Sequence, residues 1–209
     1  MSRKFRLFAA TSFFFACWNT YALSDIPEPQ PAPQQTLSFY TPPGAHFILG
    51  GGLTYGGDTL TTAVYTDGTT KDIKAGSLVQ LGMGMLWQAS ENPIALQLTA
   101  NYHFDGASGS NGSITFKRYP LEGLVYYTKV ERMRFGLGAR YVLSPRYEDK
   151  VGVPFTVSFD NTVGVVGEFG YAMTPVLWMN FRVVSEKYQH ANLSFSGNHA
   201  GINFIYRFE

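Results

Sequence analysis

From Ala45 to Phe208 the chain alternates apolar and polar or small residues at period two, and no stretch there reaches the ~20 apolar residues of a membrane-crossing helix. Period two puts successive side chains on opposite faces of a strand. Phe47, Leu49, Leu53 and Tyr55 share one face of 46–55, opposite His46, Gly50, Gly52 and Thr54. Val79, Leu81, Met83, Met85 and Trp87 oppose Gln80, Gly82, Gly84 and Gln88 in 78–88. The cleanest run is 94–104, where Leu96, Leu98, Ala100, Tyr102 and Phe104 oppose Gln97, Thr99, Asn101 and His103. Five more runs follow at 119–128, 133–143, 159–171, 176–188 and 200–208. Each has about the length a tilted strand needs to cross a bilayer. Pro120 predicts a bulge or weakened pairing in the fourth run.

The connections alternate in length. Those at 89–93, 129–132 and 172–175 are short, while 56–77, 105–113, 144–158 and 189–199 are long. Short turns at one end and long loops at the other suit a barrel whose termini and short turns face the periplasm. Asp67-Gly68 inside the first long connection predicts a type I′ hairpin and a ribbon that extends the first two strands beyond the membrane.

The N-terminus fits export. Arg3, Lys4 and Arg6 precede an apolar stretch at 7–18, and Thr20-Tyr21-Ala22 suits cleavage, so 1–22 reads as a secretory signal peptide. A lipoprotein box at Phe14-Phe15-Ala16-Cys17 is the weaker alternative, because two Phe precede Ala16. Cleavage removes three of 16 basic residues and the only cysteine, leaving 13 basic against 15 acidic residues. That balance gives no reason to expect nucleic acid, and a chain without Cys forms neither disulfides nor zinc-thiolate sites. Residues 23–44 read as a Pro/Gln-rich periplasmic linker with polyproline II character, and 45–208 as the barrel.

A soluble β-sandwich also alternates. The polar face separates the two readings. It carries Gly, Gln, Asn and Thr rather than many Lys and Glu, together with Arg118, Arg140, Arg182, Arg207, Glu122, Glu168 and Glu186 in one phase. The fold class predicted is therefore all-β, an eight-stranded antiparallel up-and-down transmembrane β-barrel. Its bore is just wide enough for side chains to fill. The seven ions are expected to interlock there as an ionic network, since the planar Arg fork pairs well with carboxylates. Tyr55, Trp87, Tyr102, Phe104, Tyr119, Tyr127, Tyr141, Tyr171, Tyr188 and Phe208 fall near strand ends and are expected to form interface girdles. Trp178 has the inward phase but lies near a turn, so it fits either face.

The eight-segment pattern, together with the ending Gly201-Ile202-Asn203-Phe204-Ile205-Tyr206-Arg207-Phe208, resembles the small outer-membrane barrels of the OmpA/OmpX/OmpW type. Glu209 departs from their usual aromatic terminus. The resemblance implies a Gram-negative outer membrane, contact with its lipids and lipopolysaccharide, and assembly by periplasmic chaperones and the outer-membrane insertase. It implies no single activity.

The remaining chemistry is sparse. Gly50-Gly51-Gly52 precedes no helix, so it is no phosphate loop. His46, His103, His190 and His199 are scattered and read as no metal site. Lipid A deacylases resemble His-x-Ser at their catalytic pair, whereas here Ser194 lies four residues after His190. The expectation is a non-enzyme without cofactors, acting as a structural or surface-interaction barrel. A narrow porin-like channel for small or hydrophobic solutes is the alternative, and a lipid A-modifying acyl hydrolase ranks below it.

Overall fold

The computed structural model describes residues 38–209, and the signal and most of the linker lie outside them. The described residues form thirteen strands: β1 (Gly44–Gly56), β2 (Thr59–Val64), β3 (Thr70–Lys74), β4 (Leu78–Gln88), β5 (Ile94–Gly109), β6 (Gly112–Tyr127), β7 (Met133–Asp149), β8 (Phe155–Ser158), β9 (Thr162–Ala172), β10 (Leu177–Ser185), β11 (Lys187–His190), β12 (Leu193–Ser196) and β13 (His199–Arg207). Eight of them close a barrel in the order β1-β4-β5-β6-β7-β9-β10-β13, all antiparallel, with β13 returning to β1. Closure satisfies every strand edge, the condition for crossing lipid with strands. Gln88, Glu122, Glu168 and Arg182 are buried, while Leu53, Met83, Leu137 and Val183 on the opposite phase are exposed. The apolar face therefore points outward.

Along the outer face of β1, Phe47 and Tyr55 mark two boundaries. Eight residue steps at ~3.4 Å, tilted ~40°, span roughly 20 Å, close to the apolar band of outer-membrane barrels.

Glycines on the inner face allow close backbone approach. A Cβ on Gly138 would collide with the Gly123 carbonyl oxygen and sit 2.7 Å from the Leu124 Cα. A Cβ on the outward Gly123 would meet only a Leu98 methyl, at 3.3 Å. Gly138→Ala is thus expected to destabilise the barrel by about 1–3 kcal/mol, with Gly123→Ala near neutral. Urea midpoints in detergent would compare them; equal midpoints would show that β6 and β7 can part at no cost.

Several sequence expectations need correction at the end of the barrel away from the termini. Strand β5 continues to Gly109 and β6 starts at Gly112, so the loop expected at 105–113 is a turn at Ser110-Asn111. β2 and β3 do not prolong β1 and β4. They form a separate hairpin in contact with β5 and β6, tied down by the Lys74 amide donating to Asp105 Oδ2 at 2.9 Å. Its turn is also not type I′: Gly68 alone has positive φ, its amide donates to Tyr65 O, and the Tyr65 amide donates to Thr69 O. That is a three-residue loop with Gly in the left-handed position.

Pro120 lies where expected irregularity occurs. Partners on β5 run from Ala100↔Leu121 to His103↔Arg118, leaving Tyr119 and Pro120 unpaired there. On β7 an extra residue enters between Leu143 and Arg146, with Ser144 at φ 48°. This bulge reverses the phase of β7. Before it, Arg134, Arg140 and Val142 point inward; beyond it, Tyr147 does, and Arg146 and Glu148 turn outward.

Candidate functional site: the filled interior and its outer rim

The interior carries three zones, and β6 passes through all of them. Phe116 belongs to an apolar cluster with Ile73, Ala75, Ile114, Val142, Tyr147, Phe159 and Tyr188 at the hairpin end. Leu124 and Tyr126 belong to a second cluster with Ile48, Leu86, Val166, Trp178, Val184 and Ile205. Arg118 and Glu122 lie between them on the same strand.

A chain of alternating partners links the two clusters. Tyr126 OH donates to Glu168 Oε2 at 2.6 Å, and Glu168 Oε1 is 3.4 Å from Arg182 Nε. Arg182 donates to Glu122 Oε2 at 2.8 Å, and Glu122 Oε1 is 3.6 Å from Arg140 Nε. Arg140 Nε reaches Glu186 Oε2 at 3.2 Å, and Tyr188 OH donates to Glu186 Oε1 at 2.6 Å. All five charged members are buried. Each carboxylate has a cation or phenol on either side, which offsets the cost of removing charge from water. The void beside Glu122 and Arg182 measures about 10 Å³, room for no more than about one water molecule.

Two of the seven predicted ions are buried elsewhere. Arg118 bonds His103 Nδ1 at 2.8 Å and lies 5.0 Å from the Phe116 ring centroid. The same Arg118 amine lies 3.0 Å from His103 Nε2, but the Thr54 hydroxyl is committed to Gly76 O, so Nε2 donates to Thr54 Oγ1 at 2.8 Å and Nδ1 accepts from Arg118. Thr54 in turn donates to Gly76 O, also at 2.8 Å. Arg207 donates to Pro175 O at 3.1 Å, and its other amine lies 3.5 Å from His46 Nδ1. Among the described residues, neither arginine pairs with a carboxylate. They tie a connection and a turn to the barrel wall.

Other interior groups lie outside the predicted ionic network. The Arg134 guanidinium sits 4.5 Å from both the Tyr126 and Trp178 rings and donates to Asn180 Oδ1 at 3.1 Å. Its inward phase was the available signal. Trp178, which fitted either face, is inside. His103 and His199, far apart in sequence, meet edge to face at 5.3 Å. Phe39, from the expected linker, packs against the Leu124–Tyr126 cluster beneath the Arg132 guanidinium at 3.7 Å. The linker therefore does contribute to the core.

Tyr188 is a correction. Its position near a strand end predicts a girdle residue, yet it is fully buried against Phe116 and Phe159. Arg182, Glu186 and Tyr188 share one phase, so period two already pointed it inward. The other girdle residues lie on the outer face at two levels. Trp87, Tyr127, Tyr171 and Phe208 are near the termini; Tyr55, Tyr102, Phe104 and Tyr141 are near the hairpin end, where Tyr102 also touches Tyr119 at 5.4 Å.

Beyond that second level the outer face turns basic. Lys117 donates to Glu148 Oε2 at 2.9 Å, and Arg146 and Lys150 lie 3.7 and 3.8 Å from the same carboxylate. The Lys117 hydrogen bond holds the Glu148 carboxyl below its ordinary pKa, so it stays ionised among the three cations. The pair weighed for the lowest-ranked hydrolase alternative stands on adjacent rungs of the β11–β12 hairpin: His190 pairs with Leu193, and its ring bonds Ser158 O, while Ser194 pairs with Gln189.

No protein-family model and no curated protein matches the sequence. Among solved structures the chain is similar to Ail, the attachment invasion locus protein of Yersinia pestis, at 11% identity and TM-score 0.49, over 78% of this chain and 97% of that one. It is similar to Neisserial surface protein A at 11% identity and TM-score 0.48, over 79% and 97%. Outer membrane protein OprG from Pseudomonas aeruginosa aligns at 16% identity and TM-score 0.45, over 82% and 99%. By its own strand register and outward apolar face, this chain is an eight-stranded antiparallel up-and-down transmembrane β-barrel.

Proposed function

We propose that this protein is an outer-membrane barrel with a side-chain-filled bore, working through the surface at its hairpin end rather than as a channel. The termini face the periplasm in this reading, and the hairpins face outside. The observation that carries it is the chain from Tyr126 through Glu168, Arg182, Glu122, Arg140 and Glu186 to Tyr188, which occupies the bore between two apolar clusters. A permeating solute would have to break buried ion pairs, each held by partners on several strands.

Refolded mature protein in planar bilayers is expected to show no stable single-channel openings. Reproducible openings at moderate voltage would overturn the reading and favour a narrow channel. The orientation is tested separately. A protease added to intact cells is expected to reach the exposed segment around Val153 and to spare an epitope placed at Glu91 in a short turn.

A further inference from the structure

We propose that His103 and His199 form an acid-sensitive latch that pins the β2–β3 and β11–β12 hairpins to the barrel. The latch depends neither on a closed bore nor on which end of the barrel faces outside.

The pair stands where the hairpins join the wall. His103 is fully buried and His199 nearly so, and their rings meet edge to face at 5.3 Å. Each ring serves the foot of one hairpin. His103 donates from Nε2 to Thr54 Oγ1, and Thr54 donates to Gly76 O, just after β3. His199 donates from Nδ1 to Gly197 O at 2.7 Å, just after β12. The two feet touch: a Cβ on Gly76 would stand 2.8 Å from both Gly197 O and the His199 Cβ. The hairpins are also bonded to each other. The Asp58 amide donates to Ser196 O at 2.8 Å, and the Ser196 amide to Asp58 Oδ2 at 2.7 Å. Both are two-stranded sheets separate from the barrel sheet, so they can lift as one piece.

The second nitrogen of each ring faces an arginine. Nδ1 of His103 accepts from Arg118 at 2.8 Å, and Nε2 of His199 lies 3.4 Å from Arg140 Nη1. A guanidinium only donates, so both nitrogens are bare and both rings neutral. A proton on either would set an imidazolium N–H against a guanidinium N–H. Arg118 from β6, Arg140 from β7 and Arg182 from β10 all face the pair. The nearby carboxylates are already engaged. Glu186, 3.8 Å from His199 Nδ1, is held by Arg140 and the Tyr188 hydroxyl. Glu122 lies between Arg182 and Arg140, and Asp105 on β5 accepts the Lys74 amide.

Lifting the hairpins frees both rings into water, where an imidazole takes up a proton near pH ~6.5. Above that pH the freed rings stay neutral and opening binds no proton. Below it the open form binds up to two protons that the closed form does not. Opening therefore becomes easier as pH falls, by up to roughly tenfold per pH unit for each ring. It uncovers the apolar cluster around Phe116 and Tyr188.

The test follows amide hydrogen exchange of the mature chain in non-ionic detergent, corrected for the intrinsic exchange rate at each pH. Between about pH 7.5 and pH 5.5, opening of β2–β3 and β11–β12 is expected to increase about a hundredfold, while protection in β9 and β10 holds. His103→Gln and His199→Asn keep a donor for Thr54 and Gly197 but do not titrate. Each is expected to cut the increase to about tenfold, and the double variant to abolish it. Nitrogen-15 NMR of labelled histidine in the wild-type protein needs no variant to fold. At about pH 7.5 it is expected to show His103 protonated at Nε2 alone and His199 at Nδ1 alone. Equal hairpin protection at both pH values, an increase that survives the double variant, equal loss in β9 and β10, or an imidazolium at either position would overturn the proposal. Exchange in detergent does not report conductance, so failure here is distinct from failure of the closed-bore reading.

Discussion

Replacing Arg182 with Met is expected to lower the unfolding free energy of the barrel by about 3–5 kcal/mol, because it leaves buried carboxylates uncompensated. Arg182 is the cation between Glu122 at 2.8 Å and Glu168 at 3.4 Å. Met retains much of the stem volume, so the loss is mainly one of charge rather than of packing. Of its two cations Glu122 keeps the more distant, Arg140, and Glu168 keeps the Tyr126 hydroxyl but no cation. Adding Glu122→Gln and Glu168→Gln to Arg182→Met is expected to recover a large part of the loss, since the charges then leave together. Equilibrium urea unfolding in detergent measures both steps. If the single variant keeps the wild-type midpoint, these ions do not form the coupled network described.

Phe116→Ala is expected to cost a similar amount, about 3–5 kcal/mol, but to spend it in one place. Phe116 is fully buried and meets Phe159 at 5.6 Å and Tyr188 at 5.5 Å, both edge to face. The cluster around it draws Ile73 from β3, Tyr147 from β7 and Tyr188 from β11, so it joins the hairpins to the wall. Below it, the Glu168–Arg182–Glu122 contacts do not involve Phe116. Limited proteolysis is therefore expected to cut the β2–β3 and β11–β12 segments faster, while the barrel keeps its heat-modifiable mobility. Loss of that mobility would show the hairpin end and the membrane span to be one cooperative unit. The contrast with Arg182→Met separates damage to the hairpin end from damage to the bore.

Both expectations depend on which residues point inward, and much of that was legible in the sequence. In β6, β9, β10 and β13 the phase is unbroken, and Arg118, Glu122, Glu168, Arg182 and Arg207 are all buried in the same phase as their neighbours two residues away. Tyr188 follows the same rule. Its nearness to a strand end suggests the girdle, but phase, which sets the side-chain direction, puts it inside. The split of the ions into a central chain and two separate arginines was not legible. It depends on which inward side chains from different strands come to the same height.

The sequence alone determined the strand period, the number of crossings and the outward face, because alternation is a local property of a pleated chain and lipid tolerates only the apolar side. Only the tertiary structure decided the rim. The bulge at Ser144 reverses the phase of β7, and the β2–β3 hairpin folds against β5 and β6 instead of extending β1 and β4. Those features arise from pairing between distant segments, where a neighbouring strand and its contacts outweigh local pattern.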